Sequence, residues 1–185
     1  MTGDGKNNEL IPCFMSLLTD EEKLLYGQII NYLLELGYTP KKNKVQGYSL
    51  SFKHKKLNKT IARMGIHGGK IPKTFFGIRF FACKSYSQKF YNAIEYEIVS
   101  RNGQYCTEKS SDVFLDKDSL AGKNRCGCCA SCTGGGVGYY YKYPGGKEVV
   151  RCGAYPIVLP NFDANDIDEV KSLLLEQHYY FLSIA

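Results

Sequence analysis

The sequence has no acidic residue between Leu36 and Ile94, a stretch of 59 residues that contains 13 lysines and arginines. The rest of the chain carries 11 basic and 18 acidic residues, so a charge of +13 on one contiguous third contrasts with −7 elsewhere. A surface of one sign attracts anions at long range, which favours nucleic acid, a nucleotide or an acidic partner as ligand. Two structural explanations stay open: the lysines can solubilise exposed strands, or the acidic C-terminal part can pack against the basic part.

The sequence also lacks a long apolar run. The longest, Leu10 to Leu18, is about half a membrane span and contains Pro12 and Ser16. Residues 1–5 carry no positive charge, and no small-residue cleavage site follows the apolar run, so no secretory signal is predicted. We therefore expect a cytoplasmic protein without membrane contact, in which the eight cysteines are thiols or metal ligands rather than a disulfide framework.

Sequence motifs of common enzymes are missing. Neither H-E-x-x-H nor G-x-S-x-G occurs, and residues 134–138 and 145–147 are glycine-rich without the spacing of a nucleotide-binding or phosphate-binding loop. The three histidines, His54, His67 and His178, have no recognisable nucleophile as partner. The sequence therefore favours a binding module over an enzyme.

The length of 185 residues and a hydrophobic content of 44% predict one folded domain over residues 1–185. Thr19 and Glu22 form a capping box for a helix that ends at Gly37. Pro40 and the lysines after it predict a turn, and alternating or apolar runs over 45–53, 59–66 and 74–83 predict three antiparallel strands.

A second helix is predicted after Ser85 or Ser87, ending at Gly103, followed by strands over 139–143 and 148–159 and a last helix capped by Asp163 or Asn165. The fold class is thus α+β, an antiparallel sheet with helices on one face in the order αβββαββα. A basic αβββα part spans 10–103. The part over 104–185 contains a cysteine-cluster loop, a β-hairpin and the terminal helix.

The cysteines form the most specific motif. Cys126, Cys129 and Cys132 make a C-x2-C-x2-C cluster, and Cys152 follows on a predicted strand. Four thiolates satisfy tetrahedral Zn²⁺ with no position left to activate water, so the predicted site is a structural zinc site.

Other ligand sets and other chemistry stay open for this cluster. Cys128 lies inside it and Cys106 precedes it, and either can replace a predicted ligand. A [4Fe-4S] cluster also uses three close cysteines and a remote fourth, although the C-x2-C-x2-C-x3-C-P run is absent. A redox or metal-sensing thiol set and unliganded loop cysteines are the remaining alternatives.

Two further groups complete the candidate sites. The predicted anion-binding residues are Lys53, Lys55, Lys56, Lys59, Arg63 and Arg79. The predicted pocket residues are Tyr139, Tyr141, Tyr143 and Tyr155. Such tyrosines can stack bases or line a ligand pocket, or they can fill the core in a chain that has no tryptophan.

Residues 76–87, 141–147, 151–153 and 176–178 resemble a group of small uncharacterised bacterial cytoplasmic proteins that carry a C-x2-C-x2-C cluster before a C-terminal helix. The resemblance implies a bacterial cytoplasmic protein with a shared cysteine site, and it implies no activity. Together these observations predict a zinc-stabilised binding module whose basic face takes nucleic acid or another polyanion in a regulatory or accessory role. The alternative is a small-molecule, metal or redox sensor with a tyrosine-lined pocket.

Overall fold

The computed structural model describes residues 9–69, 72–100, 138–142, 148–153 and 156–185. Within these ranges the helices are α1 (Leu10–Met15), α2 (Asp20–Glu35), α3 (Gln88–Ser100) and α4 (Ile167–Ser183). The strands are β1 (Tyr38–Lys42), β2 (Gly47–His54), β3 (Lys59–His67), β4 (Lys73–Ile78), β5 (Gly138–Lys142), β6 (Glu148–Cys152) and β7 (Ile157–Val158). One antiparallel sheet has the order β1-β2-β3-β4-β7, and β5 pairs with β6 in a separate hairpin. The predicted α+β class is confirmed.

The capping box fixes the start of α2 as the sequence predicts. The backbone N–H of Glu22 donates to Thr19 Oγ1 over 3.3 Å, and the backbone N–H of Thr19 donates to the Glu22 carboxylate over 3.0 Å. These bonds satisfy two donors that would otherwise lack partners at the helix start. Gly37 follows the helix with φ of +83°, a left-handed conformation that glycine adopts without strain.

The order of elements differs from the predicted αβββαββα. Helix α1 precedes α2, and β1 forms where Pro40 and the following lysines were expected to turn. Proline is tolerated because β1 is an edge strand, which needs hydrogen bonds on one side only. The predicted strand over 148–159 divides into β6, which pairs with β5, and β7, which joins the main sheet beside β4.

One face of the sheet, the inner face, holds the core. Leu50, Met64 and Phe76 are partners on neighbouring strands, and each is fully buried. Three ring contacts connect helices α1, α2 and α4 to this face: Phe14 on Tyr48, Tyr26 on Phe76, and His178 on Tyr38. Because side chains alternate along each strand, the intervening residues project to the opposite face.

Candidate nucleic-acid interface

The opposite face of the sheet is defined by the strand register. Lys41, Ser51, Arg63, Gly77 and Val158 are successive partners across all five strands. Direct partners in an antiparallel pair project to the same side. We call this side the outer face; it comprises Lys41, Ser49, Ser51, Lys53, Arg63, Gly65, His67, Lys73, Phe75, Gly77 and Val158.

Charge is divided between the sheet and the helices. The strands of the five-stranded sheet contain six basic residues and no acidic one, whereas the four helices contain nine acidic and three basic residues. Helices α1, α2 and α4 pack on the inner face, so the basic residues of the outer face look away from most helical carboxylates. An anion approaching the outer face therefore meets a field of one sign.

Most of the predicted anion-binding residues lie on or beside the outer face. Arg63 is exposed on β3, and Lys53 is half-buried on β2. Lys55 and Lys56 are exposed in the turn between these strands, and Lys59 begins β3. The structure thus places Lys53 and Arg63 on the outer face and Lys55 and Lys56 in the adjoining turn, whereas Lys59 pairs with His54 on the inner-face side of the register.

Arg79 is the exception, because it lies in the core. Its side chain is 2% exposed, and its guanidinium donates to the carbonyl oxygen of Thr60 over 3.0 Å. The guanidinium carbon also lies about 5 Å from the ring centroids of both Phe81 and Phe181, at 5.1 and 5.0 Å. Arg79 therefore stabilises the fold by cation–π contact and hydrogen bonding, and its burial removes it from the surface that a polyanion could contact.

Lys89 is also committed within the protein. Its ammonium lies 2.6 Å from Asp166 and 3.2 Å from Asp163, at the start of the segment that leads into α4. Burial disfavours the charged amine, but the hydrogen bonds to Asp166 and Asp163 outweigh it and raise the pKa of Lys89. This lysine therefore connects α3 to the segment that leads into α4.

Two aromatic rings stack on the outer face. The imidazole of His67 lies 4.3 Å from the ring of Phe75, centroid to centroid, at an interplanar angle of 25°. Gly65 lies opposite Phe75, and a Cβ atom at Gly65 would come within 2.9 Å of the Phe75 ring and 2.2 Å of the Tyr48 carbonyl oxygen. Glycine at this position therefore lets the phenyl ring lie against the strand backbone.

A cavity of about 200 Å³ adjoins the ring pair. Its lining includes Val45, Ser49, Arg63, Phe75 and Val158, and no carboxylate occurs among the lining residues that the structure describes. The sequence analysis does not predict this site. The signal that could have indicated it is the placement of a glycine two residues after Arg63 on β3 and two residues after Phe75 on β4, the strand paired with it.

One wall of the cavity is held by Asn43, which follows β1. Its side-chain amide donates to Ser49 Oγ over 2.9 Å and its amide oxygen accepts from Ser51 Oγ over 2.8 Å. Its backbone N–H also donates to the Ser49 carbonyl oxygen over 2.9 Å. These bonds fix the turn that carries Val45 and leave the two serines of the outer face buried but hydrogen-bonded.

A larger cavity of about 580 Å³ lies between α2 and the start of β4. Its carboxylate, Glu22, accepts hydrogen bonds from the Thr19 backbone and, over 2.8 Å, from the hydroxyl of Thr74. Because these bonds hold α2 to the sheet, the chemistry of this cavity is structural.

A third cluster combines two histidines and a tyrosine on the inner face. The Tyr38 hydroxyl lies 3.2 Å from His178 Nδ1, and the ring centroids of His54 and His178 are 5.9 Å apart. The backbone N–H of Leu57 donates to His54 Nδ1 over 3.2 Å, which places the proton of the neutral ring on Nε2. That tautomer opposes metal binding at His54 Nε2, because a ligating nitrogen must be unprotonated.

The predicted metal ligands fall largely beyond the described ranges. Cys126, Cys129, Cys132 and the rivals Cys128 and Cys106 lie outside the described residues. The fourth, Cys152, ends β6, where its backbone partner is Gly138, the first residue of β5. Among the side chains that the structure describes, no three of histidine, cysteine, aspartate or glutamate are grouped to hold a metal ion.

The predicted tyrosine pocket is not assembled by the described residues. Tyr139 is 2% exposed; its hydroxyl accepts from the Phe80 backbone N–H over 3.2 Å and donates to the Ile78 carbonyl oxygen over 3.3 Å. It therefore packs the hairpin against the end of β4. Tyr141 lies in β5, and Tyr143 and Tyr155 lie outside the described residues.

Comparison with family models, curated proteins and solved structures finds no match to this chain. In the described ranges, no helix has the length and apolar character needed to cross a membrane.

Proposed function

We propose that the protein binds nucleic acid through the outer face of its five-stranded sheet. The observation that carries this proposal is the separation of charge. The strands of that sheet contain six basic and no acidic residues, and four of the basic residues lie on the outer face (Lys41, Lys53, Arg63 and Lys73), whereas the four described α-helices contain nine acidic residues. Phosphate groups supply the complementary charge, and release of their counterions supplies most of the binding free energy.

The rows of the outer face suit an extended phosphate backbone. Lys41 and Arg63 lie in one row, two strands apart, which corresponds to about 10 Å at the usual strand spacing. Lys53 lies on the same face, two residues beyond Ser51 on β2 and next to the turn that contains Lys55 and Lys56. A nucleic-acid chain that crosses the sheet would therefore contact several cations in succession.

The test measures the fluorescence anisotropy of a labelled mixed-sequence oligonucleotide at low salt. The double variant Lys53→Gln/Arg63→Gln is compared with Lys23→Gln/Lys171→Gln, which removes the same charge from α2 and α4. We expect the first pair to weaken binding by roughly tenfold and the second to leave it nearly unchanged. Equal effects of both pairs, or no binding by the wild-type protein, would refute the proposal.

We also propose a structural zinc site at Cys126, Cys129, Cys132 and Cys152, with Cys128 and Cys106 as rival ligands. The register that pairs Cys152 with Gly138 supports it, because Cys132 is only six residues from Gly138 and an extended chain of that length spans up to about 20 Å. A metal there would connect the chain before β5 to the end of β6. A [4Fe-4S] cluster on the same residues is the alternative cofactor.

Elemental analysis with an absorption spectrum of the purified protein tests this site. One zinc per chain without a visible band is expected, and Cys152→Ser should lose it whereas Cys13→Ser, at an exposed position, should retain it. Iron together with a broad visible absorption band would assign the site to a [4Fe-4S] cluster instead of zinc. Absence of both metals would reject the site.

A further inference from the structure

We infer that the cavity beside His67 and Phe75 receives one unpaired base, so that the outer face selects single-stranded over duplex nucleic acid. The inference rests on the proposed function and names the form of nucleic acid that this surface takes. Three features of the outer face carry it: a ring platform, a cavity of limited size, and a set of side chains without carboxylates.

The ring platform is formed by two residues on adjacent strands. His67 is exposed on β3, and its imidazole stacks on the half-buried ring of Phe75, 4.3 Å away. Phe75 in turn lies against the backbone at Gly65, which holds it in place. Rigid aromatic rings on a basic sheet are the surfaces on which unstacked bases pack, because every base has a π-face.

The volume of the adjoining cavity limits what can enter. At about 200 Å³ it is smaller than the ~300–1,000 Å³ of pockets that bury drug-sized ligands, and it therefore suits a single ring system. Its side chains include the Arg63 guanidinium and the Ser49 hydroxyl, both able to donate to the oxygen and nitrogen acceptors on a base edge.

The cavity disfavours duplex DNA or RNA, because it takes a base that is free of its partner. A base within a duplex is stacked and paired, so it must be extruded at a cost of a few kcal/mol before it can enter a pocket. A base of a single strand enters without that cost, while the phosphates on either side can contact Lys41, Lys53 or Lys73 of the same face. The outer face is thus suited to read bases and phosphates together.

The experiment compares three fluorescein-labelled probes at one low salt concentration: a mixed single strand, the same sequence as a duplex, and a single strand of abasic residues. Anisotropy should show the single strand binding on the order of tenfold more tightly than the abasic strand, as one stacked base contributes. Phe75→Leu and His67→Ala should each reduce this ratio toward one. Phe162→Leu, the matched change at a half-buried phenylalanine on the other side of the sheet, should preserve it.

Each outcome separates the two proposals. Equal affinity for single strand, duplex and abasic strand would overturn the inference while the proposed function stands. Failure of every probe to bind would overturn both. His67 is exposed, so His67→Ala keeps the test informative if Phe75→Leu fails to fold, which circular dichroism would show.

Discussion

Arg63 and Gly77 are direct partners in the pairing of β3 with β4, and both line the cavity on the outer face. Because Gly77 carries no side chain, nothing on β4 stands between Arg63 and Val158 in this row of the sheet. A Cβ atom at Gly77 would come within 3.1 Å of the Ile157 carbonyl oxygen, so the same glycine also permits β7 to pair closely with β4. The cavity and the edge of the sheet thus depend on one residue.

Replacement by alanine should affect stability at Arg79 but nucleic-acid binding at Arg63, although the two arginines lie only 16 positions apart in the sequence. Arg79→Ala leaves a cavity in the core and removes the donor to Thr60, so we expect a loss of about 2–4 kcal/mol in the free energy of unfolding. Arg63→Ala is exposed and should change it by no more than about 0.5 kcal/mol while weakening nucleic-acid binding. Urea titration and anisotropy measure the two effects, and a binding loss confined to the Arg79 variant would contradict this assignment.

The sequence contained the charge pattern but not its distribution in space. The capping box at Thr19 predicted α2 correctly, because it depends on residues three positions apart. The sequence predicts Arg79 as an anion-binding residue because it belongs to the acid-free basic stretch between Leu36 and Ile94. Its burial depends on Phe81 and on Phe181, which is remote in sequence, and no local pattern reports such a contact.

Strand β1 and the cavity were missed for related reasons. Pro40 predicts a turn, and only the position of β1 at the sheet edge makes a proline in a strand acceptable there. The stacking of His67 on Phe75 requires the β3–β4 register, which sets them on one face diagonally across two strands. Long-range register is set by packing and turn geometry together, so a single sequence did not reveal it.

Tyr139→Phe distinguishes a core tyrosine from a ligand-binding one. The change leaves the Phe80 N–H without its buried acceptor, so we expect a loss of about 1–3 kcal/mol in the free energy of unfolding. Tyr179→Phe, at an exposed position on α4, is the control and should change stability by less than about 0.5 kcal/mol. Thermal or urea unfolding measures both variants, and an unchanged stability for Tyr139→Phe would contradict the structural role.

The partial burial of His178, whose Nδ1 lies 3.2 Å from the Tyr38 hydroxyl, should make stability depend on pH. Burial, and secondarily the nearby imidazole of His54, lower the pKa of His178 in the folded protein. In the unfolded chain its pKa is about 6.5, so the unfolded state binds more protons as the pH falls below that value. The contribution of neutral His178 is therefore present above pH ~6.5 and is lost as the pH falls toward the folded-state pKa.

Urea unfolding at several pH values tests this dependence. We expect His178→Gln to reduce the fall in stability below pH ~6.5, because the titrating group is removed. Ser172→Ala changes an exposed, non-titrating residue of the same helix and should retain the wild-type profile. Identical profiles for His178→Gln and the wild type would contradict the lowered pKa.

Gly65→Ala tests the platform through its backbone. The added Cβ would meet the Tyr48 carbonyl oxygen at 2.2 Å and the Phe75 ring at 2.9 Å, so the strands must shift apart. We expect a loss of about 1–3 kcal/mol in the free energy of unfolding, as for other overpacked sites. Gly27→Ala on α2, where the nearest heavy atom lies 3.6 Å away, is the control and should be neutral or stabilising. Equal stability of both variants would contradict the close approach at Gly65.

The most direct test of the central claim is the salt dependence of oligonucleotide binding. If Lys53 and Arg63 contact phosphates, the slope of log K against log salt for the wild type should be steep and negative, and Lys53→Gln/Arg63→Gln should reduce its magnitude by about 1.5, from ~0.7–0.9 per lost contact. Lys23→Gln/Lys171→Gln should keep the wild-type slope. A shallow wild-type slope, or a slope that the outer-face variant leaves unchanged, would contradict binding through this face.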